Sequence, residues 1–203
     1  MTPKSTIDQL KNHVPGKSYG YVVRLLESYE LFFRISRPRV TKLGDYKYDR
    51  RTRKHAISVN ADLNPYLFLI TFMHEFAHFL QHTNYRRRTR PHGSEWKREF
   101  QTLMRPLIEE SIFPDPVSAQ LDRHMENPKA SCSDIALMRL LEDYDTALHT
   151  RLEDLNDGDL FRLSNQRTFQ RKKKLRTRYE CIEVSTNRKW FVHSMAKVEI
   201  VNN

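Results

Sequence analysis

The chain has 203 residues, 38% of them hydrophobic and 11% aromatic, which is enough apolar material for a buried core and too much for global disorder. Lys and Arg number 35 against 25 Asp and Glu, a formal net charge of +10 that excludes an acidic chain and points toward polyanionic partners. The longest apolar run, residues 66–73, is far short of the ~20 residues of a membrane span, and the N-terminus has no signal-type apolar stretch, so a cytoplasmic protein without membrane contact is expected.

Residues 6–13 read as a short helix stopped by Pro15-Gly16. Apolar residues at 22, 25, 26, 29, 32 and 33 have helical spacing and predict a helix over 21–33. Residues 39–60 turn β-branched and aromatic, with Leu43-Gly44-Asp45 as a turn and 56–59 as a short strand. Asn64-Pro65 opens the best helix, because proline suits the first helical position, and it should run to about His82. Another begins at Ser94, with Trp96, Phe100, Leu103 and Met104 on one face. Ser133-Asp134 caps a helix that runs through Tyr144. Beyond Asp157-Gly158, residues 159–163, 178–184 and 190–201 read as strands, with turns near Asn165 and Asn187. The expected class is α+β: a mainly helical domain with a small sheet over 1–150, then a small basic all-β module over 151–203.

The predicted helix over 64–82 contains His74-Glu75-Phe76-Ala77-His78. Residues four apart share a helix face, so the two imidazoles can hold one Zn²⁺ while the unligated Glu75 accepts a proton from water on the metal. The composition would give this pattern by chance only about 0.025 times in such a chain. Zinc then needs a third protein ligand if water takes the fourth position. His82 lies one turn further along the same helix, and three ligands in a line cannot surround a tetrahedral ion. That leaves His92, which follows a basic loop, or Glu95 and Glu99 on the next helix.

These five residues, followed by His92-Gly93-Ser94-Glu95-Trp96, resemble the HExxH and HGxx(W/F) signatures of the SprT-like zinc metallopeptidases. Ile57-Ser58-Val59-Asn60 is similar to the strand-plus-Asn that precedes the metal helix in that family. The resemblance covers roughly residues 20–110 and extends to the layout of SprT-like domain proteins of Bacteroidetes type, related to the Spartan-type proteases of DNA–protein crosslinks. It implies a small zincin-like domain, Zn²⁺ on His74, His78 and His92, and Glu75 as general base of an endopeptidase. Many members carry a C-terminal zinc ribbon with two Cys pairs. With only Cys132 and Cys181 this chain cannot build one, and the basic β module stands in its place.

Charge is unevenly spread: residues 160–178 hold eight basic residues and no acidic one. Among them Arg167, Arg171, Lys172, Lys173, Lys174, Arg176 and Arg178 flank Phe169 and Tyr179 in what reads as a β-hairpin, a pattern suited to a phosphate backbone and an exposed base. A second basic run, residues 86–90, lies in the loop before His92, where it would draw acidic substrate or nucleic acid to the cleft. By analogy with other zinc peptidases, the strand at 56–60 would pair with extended substrate. Two functional readings follow. One is a zinc endopeptidase acting on protein substrate, with DNA as a partner through the basic patches. The other is a nucleic-acid-binding protein whose zinc is structural or vestigial.

Overall fold

A computed structural model describes residues 2–39, 42–85, 89–129, 134–145 and 150–201. It is an α+β protein that divides into two compact units, Met1–Asp145 and Thr146–Asn203. No helix among the described residues is long and apolar enough to cross a membrane.

The first unit opens with α1 (Lys4–Leu10) and α2 (Tyr19–Ser28). The helix predicted over 21–33 therefore stops early, and Phe32–Ser36 forms strand β1. The reason is a change of period. Leu31 and Phe33 are buried while Phe32 between them is 41% exposed, an alternation that helical spacing had masked. Strands β2 (Gly44–Asp49) and β3 (Lys54–Asn60) complete a sheet of order β1-β3-β2. Gly44, expected within a turn, opens β2 instead. The reversal comes at residues 49–53, where Asp49 Oδ1 accepts from the Arg51 N–H (2.8 Å) and Arg53 takes a positive φ of 56°.

β1 runs parallel to β3 and β2 antiparallel to it. Hydrogen-bonded on both sides, β3 has no free edge. The expectation that residues 56–60 pair with substrate is thereby overturned.

Helix α3 (Pro65–Asn84) packs across this sheet, and thirteen of its twenty residues are buried, which makes it the central helix rather than an amphipathic cover. It packs in turn on α4 (Ser94–Glu109), whose Trp96, Phe100, Leu103, Met104 and Leu107 form one buried stripe. Fully burying side chains of this size stabilises by about 1.5–3 kcal/mol each. Two shorter helices, α5 (Asp115–Glu126) and α6 (Ile135–Glu142), complete the unit. Asp134 caps α6 by accepting from the Leu137 N–H (3.0 Å), while Ser133 lies outside the described residues.

The second unit is an antiparallel sheet of order β4-β9-β5-β6-β7-β8. Its strands are β4 (Thr150–Arg151), β5 (Leu160–Arg162), β6 (Thr168–Lys174), β7 (Arg178–Glu183), β8 (Lys189–His193) and β9 (Lys197–Ile200). The single strand expected over 190–201 is two. The chain bends after His193, whose carbonyl accepts from the Ala196 N–H (3.0 Å), and β9 leaves β8 to pair with β4 and β5. Leu152, Leu155, Phe161, Leu163, Phe169, Tyr179 and Cys181 form its core.

One residue fastens α3 to α6. Asn64 Oδ1 caps α3 through the Leu67 N–H (2.9 Å), and its Nδ2 donates to the Leu141 carbonyl and to Asp145 Oδ1 (both 2.8 Å). Asn64→Ala removes the cap and strands a buried carbonyl, so urea denaturation should register a loss of about 2–4 kcal/mol. Asn64→Asp keeps the cap oxygen but turns an acceptor toward Leu141 and Asp145, and it too should destabilise.

Candidate metal centre

His74 and His78 project from adjacent turns of α3, and a third imidazole meets them from outside the helix. His92 Nε2 lies 3.0 Å from His74 Nε2 and 3.1 Å from His78 Nε2. His92 reaches this point through a β-turn at residues 90–93. The Gly93 N–H donates to the Arg90 carbonyl (2.9 Å), Pro91 occupies the second position, and His92 takes the third with φ 57°. Proline followed by a positive φ is the order a type II turn requires. Gly93 is needed there, since a Cβ on it would come within 2.9 Å of the Arg90 carbonyl oxygen.

The turn is anchored to the helix by a residue absent from the motif. Gln81 lies on the same α3 face as His74 and His78, two turns after His74. Its Nε2 donates to the Arg90 carbonyl (2.9 Å), so one buried amide ties the returning chain to the ligand face. Its signal in the sequence is a polar residue at the i+7 position of an otherwise apolar helix. Trp96 floors the site. Its ring centroid lies 4.7 Å from those of His74 and His92, and its Nε1 donates to the His74 carbonyl (3.2 Å).

The three imidazoles fit a metal ion. Nitrogens about 2.0–2.1 Å from a tetrahedral ion stand about 3.3 Å apart, close to the spacing found here. Burial, then the neighbouring His78, His92 and His124, push His74 down to about 2, and burial followed by His92 pushes His78 down to about 4. Burial also lowers His92. All three are therefore held neutral at pH 7, the form that ligates. One cation between the facing Nε2 atoms would meet all three rings at once.

Glu75 faces the other way, toward β2. A Cβ built on Gly44 would lie 2.7 Å from both Glu75 Cγ and Thr71 Cγ2, so the backbone of β2 approaches α3 as closely as glycine allows. Burial first, then the Asp45 carboxylate, push Glu75 up to about 7 within the protein's own charges. The Tyr46 backbone N–H, Arg39 and Lys42 pull the other way. A carboxyl poised near neutrality is suited to taking up and releasing a proton.

The alternative ligands lie elsewhere. Glu95 Oε2 accepts from Ser94 Oγ (3.0 Å), and Glu99 Oε1 accepts from Asn84 Nδ2 (3.2 Å). His82 belongs to an aromatic cluster with Tyr48 (ring centroids 4.3 Å apart) and His55 (5.4 Å) on the β2 side of α3. Residues 86–88 of the basic loop, and Cys132, lie outside the described residues.

In the second unit the seven cations separate. Arg171 is buried: its guanidinium lies 3.9 Å from the Tyr179 ring centroid and pairs with Asp157 (3.3 Å). Arg167 pairs with the buried Glu183 and lies over Trp190 (4.2 Å). The burial of Arg171 takes it out of a nucleic-acid surface, whereas Arg167 stays half-exposed. Lys173, Lys174, Arg176 and Arg178 are exposed and Lys172 is half-buried.

Comparison with protein-family models, with curated proteins and with solved structures finds no match.

Gln81→Ala should release the 90–93 turn without disturbing α3. Competition with a chromogenic chelator should then show Zn²⁺ or Co²⁺ held about tenfold more weakly, with the far-ultraviolet dichroism unchanged.

Proposed function

We propose that this chain is a zinc-dependent endopeptidase of SprT-like, zincin type. The observation that carries the reading is the division of α3 into two polar stripes. Three imidazole nitrogens gather on one side, and a half-buried carboxylate outside that cluster sits against β2 on the other. The resemblance of residues 74–78 and 92–96 to the SprT-like signatures supports it. Zinc held by His74, His78 and His92 would supply a Lewis acid that polarises a peptide carbonyl and acidifies water. Glu75 takes the proton of the attacking water on its carboxylate and hands it to the leaving amine nitrogen. β2, an outer strand of its sheet and the one that touches Glu75, presents an edge with which an extended peptide would pair beyond the Tyr46 N–H that Glu75 takes.

Glu75→Gln should keep the metal and lose cleavage by at least ~100-fold, read as products from an unfolded protein substrate alongside metal content by atomic absorption. Undiminished cleavage would sink this reading.

A second reading, binding of nucleic acid with a structural or vestigial zinc, draws on the second unit. Residues 150–201 include twelve Lys and Arg against seven Asp and Glu. Phe191, 52% exposed on β8, stands opposite Glu180 of β7, two residues from the exposed Arg178. The two readings combine in a protease directed to DNA-associated proteins. If phosphate contacts carry the binding, affinity for a fluorescent oligonucleotide falls log-linearly with salt. Replacing Lys173, Lys174 and Arg176 by alanine should then flatten that slope by about two to three counterions. Arg171→Ala should instead lower the module's stability.

A further inference from the structure

Between β1 and β2, Arg39, Lys42 and Leu43 meet the C-terminal end of β3, where Asn60 is 1% exposed. Asn60 Oδ1 accepts from Arg39 Nε (2.7 Å) and Ser36 Oγ (3.2 Å). Its Nδ2 donates to the carbonyls of Arg39 (3.3 Å) and Lys42 (3.0 Å). The carboxamide is thus saturated, and every partner belongs to the crossover or to the last residue of β1. Its backbone N–H adds the Leu43 carbonyl (2.9 Å). The two residues that lead into Gly44 are therefore both gripped by one residue of the central strand. Arg39 is folded down as well, with Nη1 donating to Ser58 Oγ (3.1 Å).

We propose that Asn60 is a positioning residue for Glu75: it fixes the crossover so that Gly44 and the Tyr46 N–H meet the Glu75 carboxylate in one register. This rests on the reading of Glu75 as the proton acceptor. Position 44 has no room for a side chain against Glu75 and Thr71, so the backbone of β2 packs directly on Glu75 there. A misplacement of about 1 Å at a reacting group can reduce rate by about 100-fold. Asp at position 60 has nearly the same shape and keeps the oxygen that Arg39 meets. It lacks the two donors, however, and turns an acceptor toward two carbonyl oxygens. None of these bonds reaches His74, His78 or the 90–93 turn, so metal retention should be independent of them.

The test compares zinc-loaded wild type, Asn60→Asp and Arg39→Ala as full chains. In Asn60→Asp, hydrogen exchange across 42–49 should accelerate at least about tenfold while 65–84 keeps its protection. The visible spectrum of the Co²⁺-substituted protein should not change, and kcat should fall at least about tenfold with KM within about twofold. Arg39→Ala, at a half-buried position, should reproduce this pattern in milder form and decides the matter if Asn60→Asp does not fold. Unchanged exchange across 42–49, acceleration shared equally by 65–84, or an unchanged kcat alongside faster exchange would each overturn the positioning role. A wild type without peptidase activity would instead dismiss the catalytic reading, and the exchange result would still decide whether Asn60 holds β2.

Discussion

Between residues 74 and 81 helix α3 carries two imidazoles, a carboxylate and an amide at a depth where polar groups are expensive to leave without partners. The surroundings answer that demand from two directions. On one side the 90–93 turn brings back His92 and presents the Arg90 carbonyl to Gln81. On the other, β2 brings the Tyr46 N–H and a side-chain-free Gly44 against Glu75. Trp96 fills the remaining space beneath the imidazoles and satisfies its own N–H on the His74 carbonyl. Sheet order, turn type and the placement of two glycines all follow from a buried helix that carries polar residues on two faces.

Much of this was legible in the sequence, unevenly. The helix was clear because Asn64-Pro65 marks its start and apolar residues fill it. The spacing of His74 and His78 placed them on one face, and the gap to His92 required a chain reversal. Spacing could not choose between His92 and the glutamates, because a reversal is a three-dimensional fact. Its local marks, proline followed by a residue at positive φ and then glycine, are plain only once the turn is seen. The over-extended helix at 21–33 failed because Tyr29, Phe32 and Phe33 fit a period of 3.6 by coincidence, while burial follows a period of two. The central place of β3 was hidden for a deeper reason. Sequence shows neighbours along the chain, and β1 and β2 are consecutive yet separated in the sheet by the strand that follows them.

The second unit shows how far composition can mislead about individual residues. A run of cations reads as one surface, but a β-strand sends alternate side chains to opposite faces. Phe169 and Arg171 are the buried alternation of β6, and Arg171 there meets Tyr179 and Asp157, while Arg167, just before the strand, meets Glu183 and Trp190. For so small a module, arginines that cover aromatic rings and close ion pairs extend a limited core.

The sheet of the first unit joins two kinds of pairing. β2 and β3 form a local hairpin, whereas β1 joins β3 in parallel through the crossover that Asn60 clasps. The three histidines depend on α3 and its following turn, while the seat of Glu75 depends on β2, held by its hairpin with β3 and by the clasp of Asn60 on Lys42 and Leu43. Loss of that clasp would leave the three histidines together while Glu75 lost its neighbours on β2. The histidine cluster and the seat of Glu75 are thus held by different parts of the fold that share a single helix.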